Sequence, residues 1–262
     1  MFFIDKNDPI YSALGNRLVS RFVESCWQPY AGSYINLYFD DFRRGGGMFK
    51  LTGCQQHNLC CYCMRLVKET NRTLEHVVPK SVNDDDVLRR YQYSGLVSPY
   101  IFILKNKNVH FHTPPFPHII AYQNLVLSCD GDIFGNGIVH CCNKFRGNKD
   151  IIPIMFDSSV GQMVNYAKDG TMIYSEALNS TVLNLGLEYQ TLVLIRKMWY
   201  TLSVQFSVDE ISMARADRSK FVELLEIMEG MPSELKQTFS NQTYWNLLFE
   251  YYWFYEYYRG DN

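Results

Sequence analysis

The run "RTLEHVVPKS", residues 72–81, places a carboxylate, Glu75, directly before His76 in a β-type stretch. Pro79 and Lys80 follow close behind. A histidine in a strand is more often a satisfied core residue than a catalytic one. This one belongs to a set of six histidines and stands shortly after a Cys-x-x-Cys, so its neighbours decide the reading.

The cysteines come first. Of the eight, six fall in two tight groups, 60/61/63 and 129/141/142. A secreted domain scatters its cysteines as disulfide staples. Grouped cysteines in a chain without an export signal read as a metal site. Cys60-x-x-Cys63 has the spacing of a zinc knuckle, in which two thiolates from one tight turn face one ion. Cys129 and Cys142 form the natural second pair for a structural Zn²⁺. The segment "DGDIFGNGIVHC" opens the spacing between them, so Cys141 or His140 is an alternative to Cys142. Buried free thiols are the plainer reading of the same residues.

The totals set limits. The 262 residues suffice for a sizeable core, with 47% hydrophobic and 20% charged residues, as in globular chains. A net charge of -2 supplies no bulk attraction to nucleic acid, so any such contact needs a local basic patch. The start "MFFIDKNDPI" lacks a long apolar stretch, and no run approaches the ~18 apolar residues of a membrane span. The expectation is a cytoplasmic protein.

Around this centre the chain divides into three parts: an N-terminal helical segment, 1–47, a central part, 48–155, and a hairpin followed by a helical region, 156–262. Asp8 as N-cap and Pro9 in the first turn predict a helix over 8–25, with Tyr11, Leu14, Leu18 and Phe22 at helical spacing. A second short helix is expected within 31–43, ahead of Gly45-Gly46-Gly47. Asp169-Gly170 predicts a hairpin in 164–174. Ser207 with Glu210 predicts a capping box, and Gly230 with Pro232 the end of that helix. "HFHTPPFPH" (110–118) reads as a surface loop or lid, more readily than as a second metal site.

After Glu75-His76 come Asn124-Leu125, then Cys142-Asn143, then Arg146-Gly147. This order resembles the HNH nucleases, whose ββα-metal fold holds one divalent cation against the scissile phosphate. The expected fold class is therefore α+β, a zinc-stabilised ββα-metal core flanked by helical segments. The resemblance implies Glu75 and Asn143 as ligands of a catalytic Mg²⁺ or Mn²⁺. It implies His76 as general base and Asn124 as the residue that orients it. These types suit the chemistry: carboxylate oxygen is a hard ligand, and imidazole titrates near neutrality. Asn143 would equally serve as a helix N-cap, and Asn124 as an ordinary strand-start residue. Lys80, Lys144, Arg146 and Lys149 are the candidate phosphate contacts.

The runs "CCYCM", "LEHVVPKS", "YQNLVLSCDGD", "HCCNKFRGN" and "TVLNLGLEYQTLVLIRK" are similar to the HNH (PtuB-like) subunit of Septu-type and retron-associated anti-phage defence systems. The resemblance covers roughly 48–200. It implies a nuclease effector controlled by an ABC-type ATPase (PtuA-like) partner. In some systems a retron reverse transcriptase and its reverse-transcribed DNA accompany it. The family pattern has an acid at Asn143 and His-Cys at Cys141-Cys142. A scaffold that has lost catalysis is the alternative, and retention of both Glu75 and His76 argues against it. Residues 201–262 carry ten acids against five bases, which argues against a grip on phosphate. Their tyrosines and tryptophans suit either a protein interface or a helix packed on its own core.

Overall fold

The computed structural model describes residues 1–28, 33–34, 38–82, 114, 116–133 and 140–260. His110 and His112 lie outside them, as do 134–139 of the segment between the second cysteine pair.

Helix α1 (Pro9–Cys26) starts where the sequence predicts it, with the Asp8 carboxylate accepting from the amides of Ile10 and Tyr11. Its buried face is Ser12, Gly15, Val19 and Val23, not the stripe of Tyr11, Leu14, Leu18 and Phe22. The choice is steric. Gly15 lies flat against the Tyr122 ring, where a Cβ would come within 2.3 Å of a ring carbon. Strands β1 (Trp27–Gln28) and β2 (Ser33–Tyr34) pair antiparallel. The helix expected within 31–43 begins only at Phe39, as α2 (Phe39–Arg44). Gly46, with φ of 69°, then turns the chain into α3 (Gly47–Gln55).

The centre is one antiparallel pair. β3 (Arg72–His76) lies against β4 (Leu125–Cys129) in the register Glu75↔Val126 and His76↔Leu125. The short helix α4 (Cys142–Arg146) packs next to β4. Beyond a one-turn helix α5 (Val160–Met163), the hairpin β5 (Val164–Tyr166)–β6 (Met172–Tyr174) forms as expected. Gly170 tightens its turn against the next helices, since a Cβ there would meet the Val193 carbonyl oxygen at 2.0 Å.

The rest is helical: α6 (Asn179–Leu185), α7 (Gln190–Gln205), α8 (Val208–Ala216), α9 (Arg218–Ile227), α10 (Ser233–Ser240), α11 (Gln242–Glu250) and α12 (Trp253–Arg259). The Ser207–Glu210 capping box is present at α8. The helix it opens does not run on to Gly230. Asp217 leaves helical geometry, with φ -137° and ψ 116°, and its carboxylate caps α9 through the Ser219 amide. An aspartate that bonds its own neighbouring amide offers the backbone an alternative to the helix. Among the described residues no helix is long and apolar enough to cross a membrane.

The aromatic tail packs inward. Tyr251, Phe254 and Tyr255 are buried, and Trp199 of α7 lies edge-on to Phe249, Tyr252 and Tyr255. One hydrophobic core joins these rings to the cysteines of the central part. A second collects α1, α3 and the residues around Tyr122.

Candidate functional site

The cysteine cluster is built by two backbone devices. The knuckle is a tight hairpin: the Cys60 amide donates to Arg65 O, Met64 N to Cys60 O, and Met64 takes a φ of 64°. On the far side, Cys142 holds a φ of 53°, unusual for a residue with a side chain, at the start of α4. The sulfurs of Cys60, Cys63, Cys129 and Cys142 lie within 4.8 Å of one another, all buried. Cys60–Cys142 and Cys63–Cys129 are both 3.8 Å apart. Four thiolates at about 2.3 Å from a tetrahedral Zn²⁺ would stand about 3.8 Å from each other, so the set suits that ion. Of the alternatives, Cys141 is buried nearby but outside this foursome. His140 turns away, its Nδ1 2.8 Å from Asp132 Oδ1.

The cluster draws support from distant residues. Ser128 Oγ stands 3.7 Å from Cys60 Sγ, and Tyr251 donates its hydroxyl to Cys63 Sγ at 3.6 Å. Arg65 reaches from the knuckle to Glu250 at 2.7 Å and to Asp132 O at 2.6 Å. Part of the C-terminal aromatic crowding thus serves the cysteines, a role that its sequence position does not announce. Gly131 lets the chain return: a Cβ there would meet Cys141 O at 2.2 Å, and its φ is 87°.

Beside this cluster lies a cleft of about 210 Å³. Thr73, Glu75 and His76 of β3 line one side with Asn143, and Phe39, Asp40 and Arg43 of α2 line another. His76 Nε2 is 2.9 Å from Ile119 O. A carbonyl only accepts, so Nε2 carries the proton and Nδ1 keeps its lone pair. Burial lowers the His76 pKa to about 4, against the pull of that carbonyl, so the ring is neutral near pH 7. Asn124 fixes the loop that supplies the carbonyl. Its amide donates to Val78 O (2.9 Å) and His118 O (2.7 Å), and its oxygen accepts from Val78 N (2.7 Å). It does more than begin a strand: it ties the turn after His76 to the segment that orients His76.

Arg146 is not where a phosphate contact would be. Its side chain is fully buried, 2.6 Å from Glu75 Oε1, and it donates to His76 O, Val77 O and Lys149 O. Its place follows from α4: Arg146 stands three residues after Asn143, one helical turn on, and reaches under the end of β3. Burial raises the Glu75 carboxyl to about 7, with Arg146 opposing that rise. Glu75 Oε2 takes no hydrogen bond among the described residues. Asn143 does not cap the helix. It donates from Nδ2 to Thr73 Oγ1 at 3.2 Å, and it lines the cleft together with Glu75. Removing Arg146 leaves the buried Glu75 carboxyl and three carbonyls without their donor. Arg146→Met is expected to cost about 3–5 kcal/mol of stability, measured by urea denaturation, whereas a surface phosphate contact would cost almost nothing.

The remaining cations divide unevenly. Lys144 pairs with Asp132 at 2.8 Å. Lys149 lies over the Phe145 ring, 4.4 Å from its centroid. Neither lines the cleft; Lys80 does, and so does Arg43, which the sequence reading did not select. Nothing in "FDDFRRGGG" signals that it folds beside a histidine more than thirty residues away. Phe39 packs edge-on to the His76 ring at 4.3 Å between centroids, with Lys80 on the Phe39 face. His118 is buried, and the four cysteines are the only metal-ready cluster among the described residues. Compared with known proteins, the chain matches no family model, no curated protein and no solved structure.

Proposed function

We propose that this chain is a metal-dependent endonuclease of the HNH, ββα-metal type, stabilised by a structural Zn²⁺ on Cys60, Cys63, Cys129 and Cys142. The observation that carries the reading is the pairing of a neutral, carbonyl-oriented His76 with the oxygen donors of Glu75 and Asn143 on one cleft. Two oxygen donors form a hard set suited to Mg²⁺ or Mn²⁺. When bound there, such an ion supplies Lewis-acid polarisation of a phosphodiester. His76 takes the proton of the attacking water at Nδ1. Asn124 and the Ile119 carbonyl hold the ring in that tautomer. Lys80 and Arg43 neutralise the phosphate at the mouth of the cleft. By resemblance, the substrate is DNA and the setting a cytoplasmic anti-phage complex with an ABC-type ATPase, in some systems with a retron reverse transcriptase.

One observation favours a second reading, a catalytically silent zinc scaffold. Arg146 already occupies Glu75 Oε1, and Phe39 covers the His76 ring. Purified chain, assayed on duplex DNA, single-stranded DNA and RNA with Mg²⁺ or Mn²⁺, separates the two. Cleavage that EDTA abolishes and added metal restores is the expected result. Background activity with every metal and substrate, also for Phe39→Ala and with the cognate ATPase added, would leave the scaffold standing.

A further inference from the structure

The stripe of Tyr11, Leu14 and Leu18 on α1 belongs to neither the cleft nor the cysteine cluster: Tyr11 and Leu18 are half-buried at the edge of the second core, and Leu14 is exposed. Leu14 is 44% exposed. It faces a groove of about 580 Å³ between α1 and α3. Each helix lends the groove residues at i, i+3, i+4 and i+7: positions 14, 17, 18 and 21 of α1, and 47, 50, 51 and 54 of α3. That spacing sets two ridges side by side with a trough between them.

The floor is apolar: Leu14, Leu18 and Leu51, widened where Gly47 has no side chain. A Cβ at Gly47 would already meet Leu18 Cδ2 at 3.0 Å. The rim is cationic. Arg17, Arg21 and Lys50 stand along it exposed, and among the described residues none of them has an ion pair and no acidic residue lines the groove. In a chain of net charge -2, three unpaired cations around an apolar trough are a local reversal of sign.

We propose that this groove docks an acidic amphipathic helix of a partner protein. An apolar stripe on that helix fills the trough, and carboxylates on its flanks meet Arg17, Arg21 and Lys50. Tyr11 closes one end as an aromatic anchor. The leucine floor is what separates this occupant from a nucleic acid, which would use the cations but gain nothing from aliphatic side chains. The inference is independent of the catalytic reading. It does place the docking helix next to α2, the wall of the cleft, because α3 follows α2 through the three glycines.

The test uses the full chain and a fluorescent helical peptide with leucines at i, i+3, i+4 and i+7 spacing and glutamates on both flanks. Saturable binding by anisotropy is expected. It should weaken at least about tenfold, or about 1.4 kcal/mol, in the Arg17→Glu/Arg21→Glu/Lys50→Glu triple variant and in Leu14→Glu. These positions are exposed, and unchanged circular dichroism would show the variants folded. Absence of saturable binding overturns the proposal. So does equal binding of a peptide with the same charges and a scrambled leucine stripe. An oligonucleotide that binds the wild type and not the triple variant, while the peptide does not bind, would reassign the groove to nucleic acid. Self-association in sedimentation that the triple variant abolishes would reassign it to a second copy of the chain.

Discussion

His76→Ala is expected to lower metal-dependent phosphodiester cleavage by about 10²–10⁴-fold, the usual contribution of a positioned general base. The loss should fall on kcat, since in the proposed mechanism the imidazole meets the attacking water and not the bulk of the substrate. Its origin is specific. Ile119 O fixes the protonated nitrogen, so only Nδ1 is available to accept a proton. The ring also packs on Phe39. The variant therefore needs a check of its thermal transition beside that of the wild type. A folded His76→Ala chain that cleaves at the wild-type rate would remove the base from the mechanism. The same chain with cleavage lost and its zinc content unchanged is the outcome that the cleft geometry predicts.

The second large effect lies in the cysteines. Structural zinc contributes about 10–16 kcal/mol to the folding of small zinc domains, as much as or more than the ~5–15 kcal/mol that keeps an ordinary domain folded. A strong chelator is expected to release one zinc per chain and to unfold the region around β3, β4 and α4. Cys142→Ser should abolish stoichiometric zinc. Cys141→Ser should keep it, at a cost of about 1–3 kcal/mol for burying a hydroxyl. The contrast reads the fourth position directly, by metal analysis and thermal unfolding together. Zinc retained in Cys142→Ser and lost in Cys141→Ser would exchange the two residues.

The local signals of the chain were legible at the places where a few neighbouring residues decide the geometry. Asp8 with Pro9 starts α1, Asp169-Gly170 turns the hairpin, and Ser207 with Glu210 caps α8. Each is a hydrogen bond or a backbone angle confined to a few positions. The break at Asp217 was also local. The apolar spacing continues across it, and a capping aspartate within such a run looks like one more exposed acid.

Contacts between distant segments were not legible in this way. Arg146 in "NKFRGNK" looks like a solvated cation. Only the meeting of α4 with the end of β3 makes it the buried partner of Glu75. The helical spacing of Tyr11, Leu14 and Leu18 does not say which face of α1 is buried; the contact of Gly15 with Tyr122 does. The aromatic tail suited an interface or a core equally, and Trp199 and the cysteine cluster drew it inside.

The sequence by itself determined the chemistry on offer. It supplied two cysteine pairs, a Glu-His at the end of a strand and two asparagines downstream, because side-chain type and short spacing are written in the chain. Only the tertiary structure decided how they are used. It gathered Cys142 and not Cys141 into the foursome of close sulfurs, with a left-handed backbone angle at Cys142, and turned His140 onto Asp132. It also buried Arg146, set Phe39 of α2 against the His76 ring and brought Arg43 to the cleft. These choices rest on close packing and on buried groups finding partners, and both depend on segments that meet only when the chain is folded.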